Sequence, residues 1–140
     1  AKKLLCGDAD PLVCGYIAAV FSILGHMFPI YFKFRGGKGV ATALGVTTAL
    51  AWQTFPIVMI PFVIIVAVSK MISLGSIISA VILPIATYFV YYFWYPESSP
   101  VVPTVATAVI ALLIIFMHRT NIKRMVRGEE NKLGAKKSDE

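Results

Sequence analysis

The stretch ISLGSIISAVILPIATYFVYYFWY, from Ile72 to Tyr95, decides the fold class because no charged side chain interrupts it. A helix needs about 20 apolar residues to cross the hydrocarbon of a bilayer. The aromatic end of the stretch is typical of side chains that anchor a helix at the headgroup level, and Pro84 predicts a kink midway. The stretch therefore predicts a tilted transmembrane helix.

Further apolar runs lie on both sides of this stretch, with short polar connections between them. They are Leu12–Ile30, Val40–Trp52, Thr54–Val68 and Val101–Met117. The two middle runs are short and predict a tight hairpin of tilted or partly buried helices. Backbone groups in hydrocarbon must be hydrogen bonded internally, and no alternating strand pattern occurs. We therefore predict an all-α integral membrane protein with five transmembrane or partly spanning helices.

Composition supports the membrane class, since 58% of the residues are hydrophobic and only 14% are charged. The net charge of +6 does not indicate nucleic-acid binding, because no basic stripe is interleaved with exposed aromatic residues. Cys6 and Cys14 lack the spacing of a zinc site. The two histidines have no acidic residues on their side of the membrane except Glu129 and Glu130 in the tail, which does not support a metal site. We predict no metal, no cofactor and no protein partner.

The connections alternate in charge, which predicts the topology. Lys33, Arg35 and Lys38 follow the first run, Lys70 follows the third, and the C-terminal tail is rich in lysine and arginine. The positive-inside rule places these connections and the C-terminus in the cytoplasm, and the Glu97 connection outside. We predict a membrane domain over residues 1–130 and a disordered cytoplasmic tail over residues 131–140.

The motif RGGKGVAT indicates a site for a phosphate group. Consecutive glycines expose backbone N–H groups, Lys38 adds a cation, and a helix that begins at Val40 directs its positive dipole end toward an anion. The spacing of an ATP-binding P-loop is absent. The alternative is a flexible loop whose cations follow the topology rule.

A second polar group follows the last run, in the stretch MHRTNIKRMVRGEE. His118 and Asn121 are three residues apart, which predicts one helix face, on the same side of the membrane as Lys38. With Lys38 they could handle an alcohol that attacks a phosphate-activated group. The alternative is anchoring at the membrane interface. His26, near the end of the first run, is either a functional residue or a partner for a neighbouring helix.

Three motifs in order, GHMFPIYFKFRGGKGVATALG, SLGS and HRTNIKRMVRGEE, resemble those of the acyl-phosphate:glycerol-3-phosphate acyltransferases, the bacterial PlsY family. The likeness runs from about Leu12 to Glu130. It implies an inner-membrane enzyme with part of a seven-helix fold. Such an enzyme transfers a fatty acyl group from acyl phosphate to the 1-hydroxyl of glycerol 3-phosphate and forms lysophosphatidic acid and phosphate. Its apolar surface contacts membrane lipids.

The resemblance also assigns site residues. Lys38, His118 and Asn121 are implied to be catalytic. The implied substrate-binding residues are Gly36, Gly37, Gly39, Thr42, Gly45, Ser73, Gly128 and Glu130.

The sequence departs from the family pattern in one respect. The family loop close to S-G-N-x-G-x-T-N is missing, and five predicted spans replace seven. We therefore expect the first two spans to be lost and this chain by itself to have little activity unless another polypeptide supplies the missing part of the site. One alternative is a multispan transporter or channel, although charge along a path through the membrane is missing and the polar groups cluster at one face. The other is an inactive fragment of the acyltransferase.

Overall fold

The structure is a computed structural model that describes residues 10–30 and 36–134. These residues form α-helices and no strand, which confirms the all-α prediction. The helices are α1 (Pro11–Met27), α2 (Val40–Leu50), α3 (Thr54–Ser69), α4 (Ile72–Trp94), α5 (Val101–Met117) and α6 (Arg119–Val126). Several residues named above, Cys6, Lys33, Arg35 and the end of the tail at 135–140, lie outside the described part of the chain.

Each predicted apolar run corresponds to one helix, with ends that differ by a few residues. The chain bends by 56° between α5 and α6, and His118 lies at the bend as the residue that precedes α6, which contains Asn121. The His118 backbone N–H donates to the carbonyls of both Ile114 and Ile115, at 3.1 and 3.0 Å, which tightens the last turn of α5. The polar helix α6 therefore leaves the direction of the apolar helix α5.

Helices that follow one another in sequence pack together, and α1 also packs against α5, so the five apolar helices close into a ring. Small residues allow close packing at the helix contacts. The main core contains Ile23, Met27, Ala43, Val58, Ala80, Leu83, Ala86, Ile110, Ala111 and Ile114. The up-and-down order places the end of α1, the start of α2, the α3–α4 turn and the end of α5 together, and we call this the polar end.

The opposite end of the bundle is held by tyrosines. The Tyr16 hydroxyl of α1 lies 3.2 Å from that of Tyr91 in α4, and the Tyr95 hydroxyl donates to the Gln53 side chain at 3.1 Å. Outside this contact, Tyr92, Phe93 and Trp94 are exposed. Amphipathic aromatic rings at one level are typical of a membrane interface.

The helices differ in whether their length and composition suffice to cross a membrane. Among the described helices, α4 alone is long and apolar enough to cross a bilayer by itself. The pair α5 and α6 passes the same test only if the bent pair is counted as one span, and α1, α2 and α3 are apolar but shorter. The prediction of five crossings therefore stays a prediction.

One close helix contact can be tested by a matched pair of substitutions. A Cβ on Gly75 of α4 would lie 2.7 Å from Val66 Cγ2 of α3, whereas a Cβ on Gly45 meets nothing within 4 Å. We expect Gly75→Ala to lower the free energy of unfolding by about 1 kcal/mol through overpacking. Gly45→Ala should raise it by roughly 0.5 kcal/mol, because alanine favours the helix. Thermal unfolding in detergent micelles measures both, and equal effects would contradict the packing described.

Candidate functional site

A cavity of about 500 Å³ lies between α2, α3, α4 and α5 and reaches the polar end of the bundle. Lys38, Ser73 and His118 line it at that end, whereas Leu83 lies roughly 15 Å farther along α4 than Ser73, at 1.5 Å per residue. Most of the remaining wall is apolar. It includes Val40, Ala43, Leu44, Val58, Met59, Phe62, Ala80 and Ile114. The cavity thus combines a charged mouth with a long apolar interior.

The mouth contains the start of α2, and the glycine that precedes it determines how the chain enters the helix. Gly39 is the N-cap residue, with φ of 75°, which a residue with a side chain rarely adopts. No side chain caps α2, so its first backbone N–H groups remain available to an anion, and Lys38 lies directly before them. The arrangement places a lysine and a helix N-terminus at one opening.

The two preceding glycines pack against the end of α1. A Cβ on Gly36 would overlap the backbone carbonyl oxygens of His26 and Met27, and one on Gly37 would overlap the His26 ring. His26 also lines the cavity together with Lys38. The close approach of Gly36 and Gly37 therefore brings the His26 ring to the mouth of the cavity.

His118 is 2% exposed and lies just beyond the end of α5. Its Nδ1 atom is 2.8 Å from the Ile114 carbonyl oxygen. A carbonyl can only accept a hydrogen bond, so in the neutral ring Nδ1 carries the proton and Nε2 is left as an acceptor. Burial, assisted by the positive charge of Lys38, lowers the pKa of His118 despite the opposing effects of this hydrogen bond and of Glu130. His118 is therefore suited to act as a neutral base.

Behind Ser73 lies a group of polar side chains that we call the carboxylate cluster: the buried Ser73, Asn121 and Glu130, and the exposed Arg124. The Ser73 hydroxyl donates to Glu130 Oε1 at 2.6 Å, and Asn121 Nδ2 donates to the same oxygen at 2.7 Å. Arg124 Nε donates to Glu130 Oε2 at 3.0 Å. Burial would raise the pKa of the Glu130 carboxyl, but these hydrogen bonds and the Arg124 charge outweigh it and lower the pKa.

The chain reverses direction after α6 so that Glu130 can reach α4. Gly128 has φ of 71°, and the Glu129 N–H bonds to the Arg124 carbonyl at 2.8 Å. This pattern ends a helix with a glycine in the left-handed conformation. Three residues beyond Glu130, the Leu133 N–H donates to the Lys70 carbonyl at 2.7 Å. The segment after α6 is thus attached to the turn between α3 and α4.

The structure brings some of the predicted site residues together and separates others. Lys38, Gly39, Ser73 and His118 line the cavity, whereas Asn121 and Glu130 lie behind Ser73. Five other predicted residues are absent from the cavity lining: Gly36, Gly37, Thr42, Gly45 and Gly128. The part of each residue in substrate binding stays a prediction.

The site prediction left out polar residues that line the cavity. His26 was weighed but not assigned, and Thr47, Ser76 and Ser79 also line the wall. Ser76 and Ser79 lie three and six residues after Ser73, and this helical spacing is the signal that would have found them. No group of three His, Cys, Asp or Glu side chains suited to a metal ion occurs within residues 10–30 and 36–134.

Comparison with known proteins identifies the family. The sequence profile described as glycerol-3-phosphate acyltransferase matches residues 3–128. A glycerol-3-phosphate acyltransferase of Actinobacillus succinogenes is 36% identical, covering 92% of this chain and 65% of the relative. One of Shouchella clausii is 40% identical, covering 97% of this chain and 64% of the relative. The chain thus spans less than two thirds of the length of these relatives.

Solved structures of one protein, PlsY (YgiH), an integral membrane glycerol 3-phosphate acyltransferase, have a similar fold. The chain of its glycerol 3-phosphate form is 32% identical in sequence and superposes with a TM-score of 0.67. The match covers 88% of this chain and 67% of the PlsY chain. The chain of its lysophosphatidic acid form is 31% identical and superposes with a TM-score of 0.68. The match covers 88% of this chain and 68% of the PlsY chain. This likeness supports a membrane location. From the profile match and the relatives together, the chain belongs to the glycerol-3-phosphate acyltransferase family.

Proposed function

We propose that this protein transfers a fatty acyl group from acyl phosphate to the 1-hydroxyl of glycerol 3-phosphate and so forms lysophosphatidic acid and phosphate. The observation that carries the proposal is the shared cavity. Lys38 and His118 line one cavity whose remaining wall is largely apolar. This combination suits a reaction between a phosphate ester and a lipid chain.

The two kinds of wall suit the two parts of the substrates. The Lys38 ammonium and the uncapped N-terminus of α2 attract a phosphate, because both present positive charge at the mouth. The apolar wall from Val58 to Leu83 suits a fatty acyl chain, since apolar surface gains free energy when it leaves water. The acyl carbon, between phosphate and chain, would lie near the polar end.

The proposed chemistry is a direct acyl transfer. The 1-hydroxyl oxygen of glycerol 3-phosphate attacks the acyl carbon, a new ester C–O bond forms, and the bond from the acyl carbon to the phosphate oxygen breaks. Nε2 of His118 accepts the hydroxyl proton and then returns it to the departing phosphate or to water. Lys38 and the α2 N–H groups stabilise the negative charge of the leaving phosphate. No covalent enzyme intermediate is required, because the phosphate is already a good leaving group.

The charge distribution supports a cytoplasmic orientation of the polar end. Lys38, Lys70 and the basic residues of α6 lie at this end, whereas Glu97 lies between α4 and α5 at the other. The positive-inside rule then favours an active face and a C-terminus in the cytoplasm, and the bacterial relatives favour the inner membrane.

The direct test is formation of lysophosphatidic acid by the protein in bacterial membranes whose own activity of this type has been removed. Radiolabelled glycerol 3-phosphate and a synthetic acyl phosphate are supplied together, and each is omitted in turn. The proposal expects labelled lysophosphatidic acid only when both are present. Product formed equally well from acyl-CoA, or no product from folded protein even when it carries the N-terminal helices of a full-length relative, would contradict it.

Removal of the Lys38 charge should weaken catalysis without loss of the fold. We expect Lys38→Met to lower kcat/KM by about 100-fold, the effect of losing one group that stabilises developing charge. Lys123→Met removes an exposed cation from α6, outside the cavity, and serves as the matched control with near-normal turnover. Comparable losses in both variants would show that general surface charge, and not the Lys38 position, supports the reaction.

The pH dependence of kcat/KM tests His118 as the base. A base must be unprotonated, and its pKa is lowered from the ordinary 6.5, so activity should persist below pH 6.5 and fall only as the pH drops through the lowered pKa. We expect His118→Gln to reduce turnover about 100-fold or more and to remove this acid limb. An acid limb that is centred above pH 6.5, or that survives in His118→Gln, would exclude this assignment.

A further inference from the structure

The inner end of the cavity is formed by one buried residue from each of three helices. Thr47 of α2, Val58 of α3 and Leu83 of α4 are the lining residues farthest from the polar end, and all three are buried. Val58 and Leu83 belong to the main core. The Thr47 hydroxyl donates to the Ala43 carbonyl of its own helix at 2.7 Å. We call Thr47, Val58 and Leu83 the floor of the cavity.

Packed residues lie directly behind the floor. One helical turn farther from the polar end are Ala51, Thr54 and Thr87, which are buried, and within the described part of the chain none of them lines the cavity. The Thr54 hydroxyl donates to the Ala51 carbonyl at 2.6 Å, and the Thr87 hydroxyl donates to the Leu83 carbonyl at 2.8 Å. Ala51 also packs in a second hydrophobic cluster with Tyr91. Since a packed interior resists additional atoms, the floor is a fixed end.

The distance from the mouth to the floor can be compared with the length of a fatty acyl chain. Leu83 lies ten residues beyond Ser73, which is roughly 15 Å along α4 at 1.5 Å per residue. With carbon–carbon bonds of about 1.5 Å and angles of about 111°, an extended chain advances roughly 1.25 Å per carbon. The interior therefore accommodates about 12 carbons of an extended chain, and a longer chain would meet Leu83.

We propose that the floor sets the longest fatty acyl chain that the cavity accepts, and that Leu83 is the residue that determines this length. The inference rests on the proposed function and deepens it, because it assigns the selectivity for the acyl donor. A chain that is too long must displace packed side chains, as an overpacking substitution does in a core. Selection therefore acts on the methyl end of the chain, far from Lys38 and His118.

The test measures binding, so that it does not depend on turnover. The probes are alkylphosphonates from decylphosphonate to octadecylphosphonate, which share one anionic head and differ only in chain length. Each probe displaces radiolabelled dodecylphosphonate from the full chain in detergent micelles. Partition of a probe into the micelles is common to all variants, so a change between variants reports the cavity. With the unaltered protein, affinity should rise to a limit near about 12 carbons and then fall about tenfold.

Substitution of Leu83 should move this limit. Leu83→Ala removes the isopropyl group from the floor, so we expect the longest tightly bound chain to gain about two carbons. Ile85→Ala is the matched control, because Ile85 is an exposed residue of the same helix that does not line the cavity. It should keep the limit of the unaltered protein.

A second variant covers the case in which Leu83→Ala does not fold. Ala80 lines the cavity one turn nearer to the mouth, so the larger side chain of Ala80→Leu enters open space and should shorten the longest bound chain. A limit that is unchanged in folded Leu83→Ala or Ala80→Leu would overturn the inference. So would affinity that rises through octadecylphosphonate in the unaltered protein, because the chain would then leave the cavity between the helices.

Failure of this inference can be distinguished from failure of the proposed function. Formation of lysophosphatidic acid is recorded separately, with the N-terminal helices of a full-length relative attached. If that protein forms the product while the variants keep the limit of the unaltered protein, only the inference fails. If the limit moves in the variants but folded protein forms no product, the floor is supported and the proposed function is contradicted.

Discussion

The apolar length of the helices is the constraint on which the rest of the structure depends. A bilayer accepts few charged side chains, so the helices are apolar along their length and polar groups are confined to their ends. Within the described helices, hydroxyls such as those of Thr47, Thr87 and Thr107 bond to carbonyls of their own helix one turn earlier. The groups that can perform chemistry are left at the polar end, where α2 and α4 begin and α5 ends.

That arrangement explains how a small bundle builds a site from distant parts of the sequence. Each apolar helix runs back along the one before it, so every second connection returns to the same end. Lys38, Ser73 and His118 are far apart in sequence but line one cavity. The segment after α6 adds Glu130, whose carboxylate bonds to Ser73 in the first turn of α4, where the helix dipole favours negative charge. The negative charge of Glu130 therefore lies at the positive end of the α4 helix dipole.

The sequence predicted the helices well because long apolar runs leave few alternatives to helix in a membrane. It also predicted that Lys38 and His118 lie at one end, because alternation of the connections follows from counting crossings. It did not predict the bend at His118, since the hydrogen bonds that cause it depend on the local geometry of the last turn of α5. The contact of Gly37 with the His26 ring depends on tertiary packing, which no spacing of residues reveals.

The carboxylate cluster illustrates the same limit. The motif contains Asn121, Arg124 and Glu130, but only the structure brings Ser73 to them and leaves one amide oxygen without a partner. Similarity of sequence can mark such residues as important without distinguishing those that touch a substrate from those that position others.

The central claim is that the Lys38 ammonium and the His118 ring share one cavity. Its most direct test is an NMR titration of the His118 ring in the unaltered protein and in Lys38→Met, with the signals of the two histidines assigned from His26→Gln. The positive charge of Lys38 lowers the pKa of His118, so the account predicts a higher midpoint in Lys38→Met. An unchanged midpoint in folded Lys38→Met protein would place the lysine too far from the imidazole for a common site.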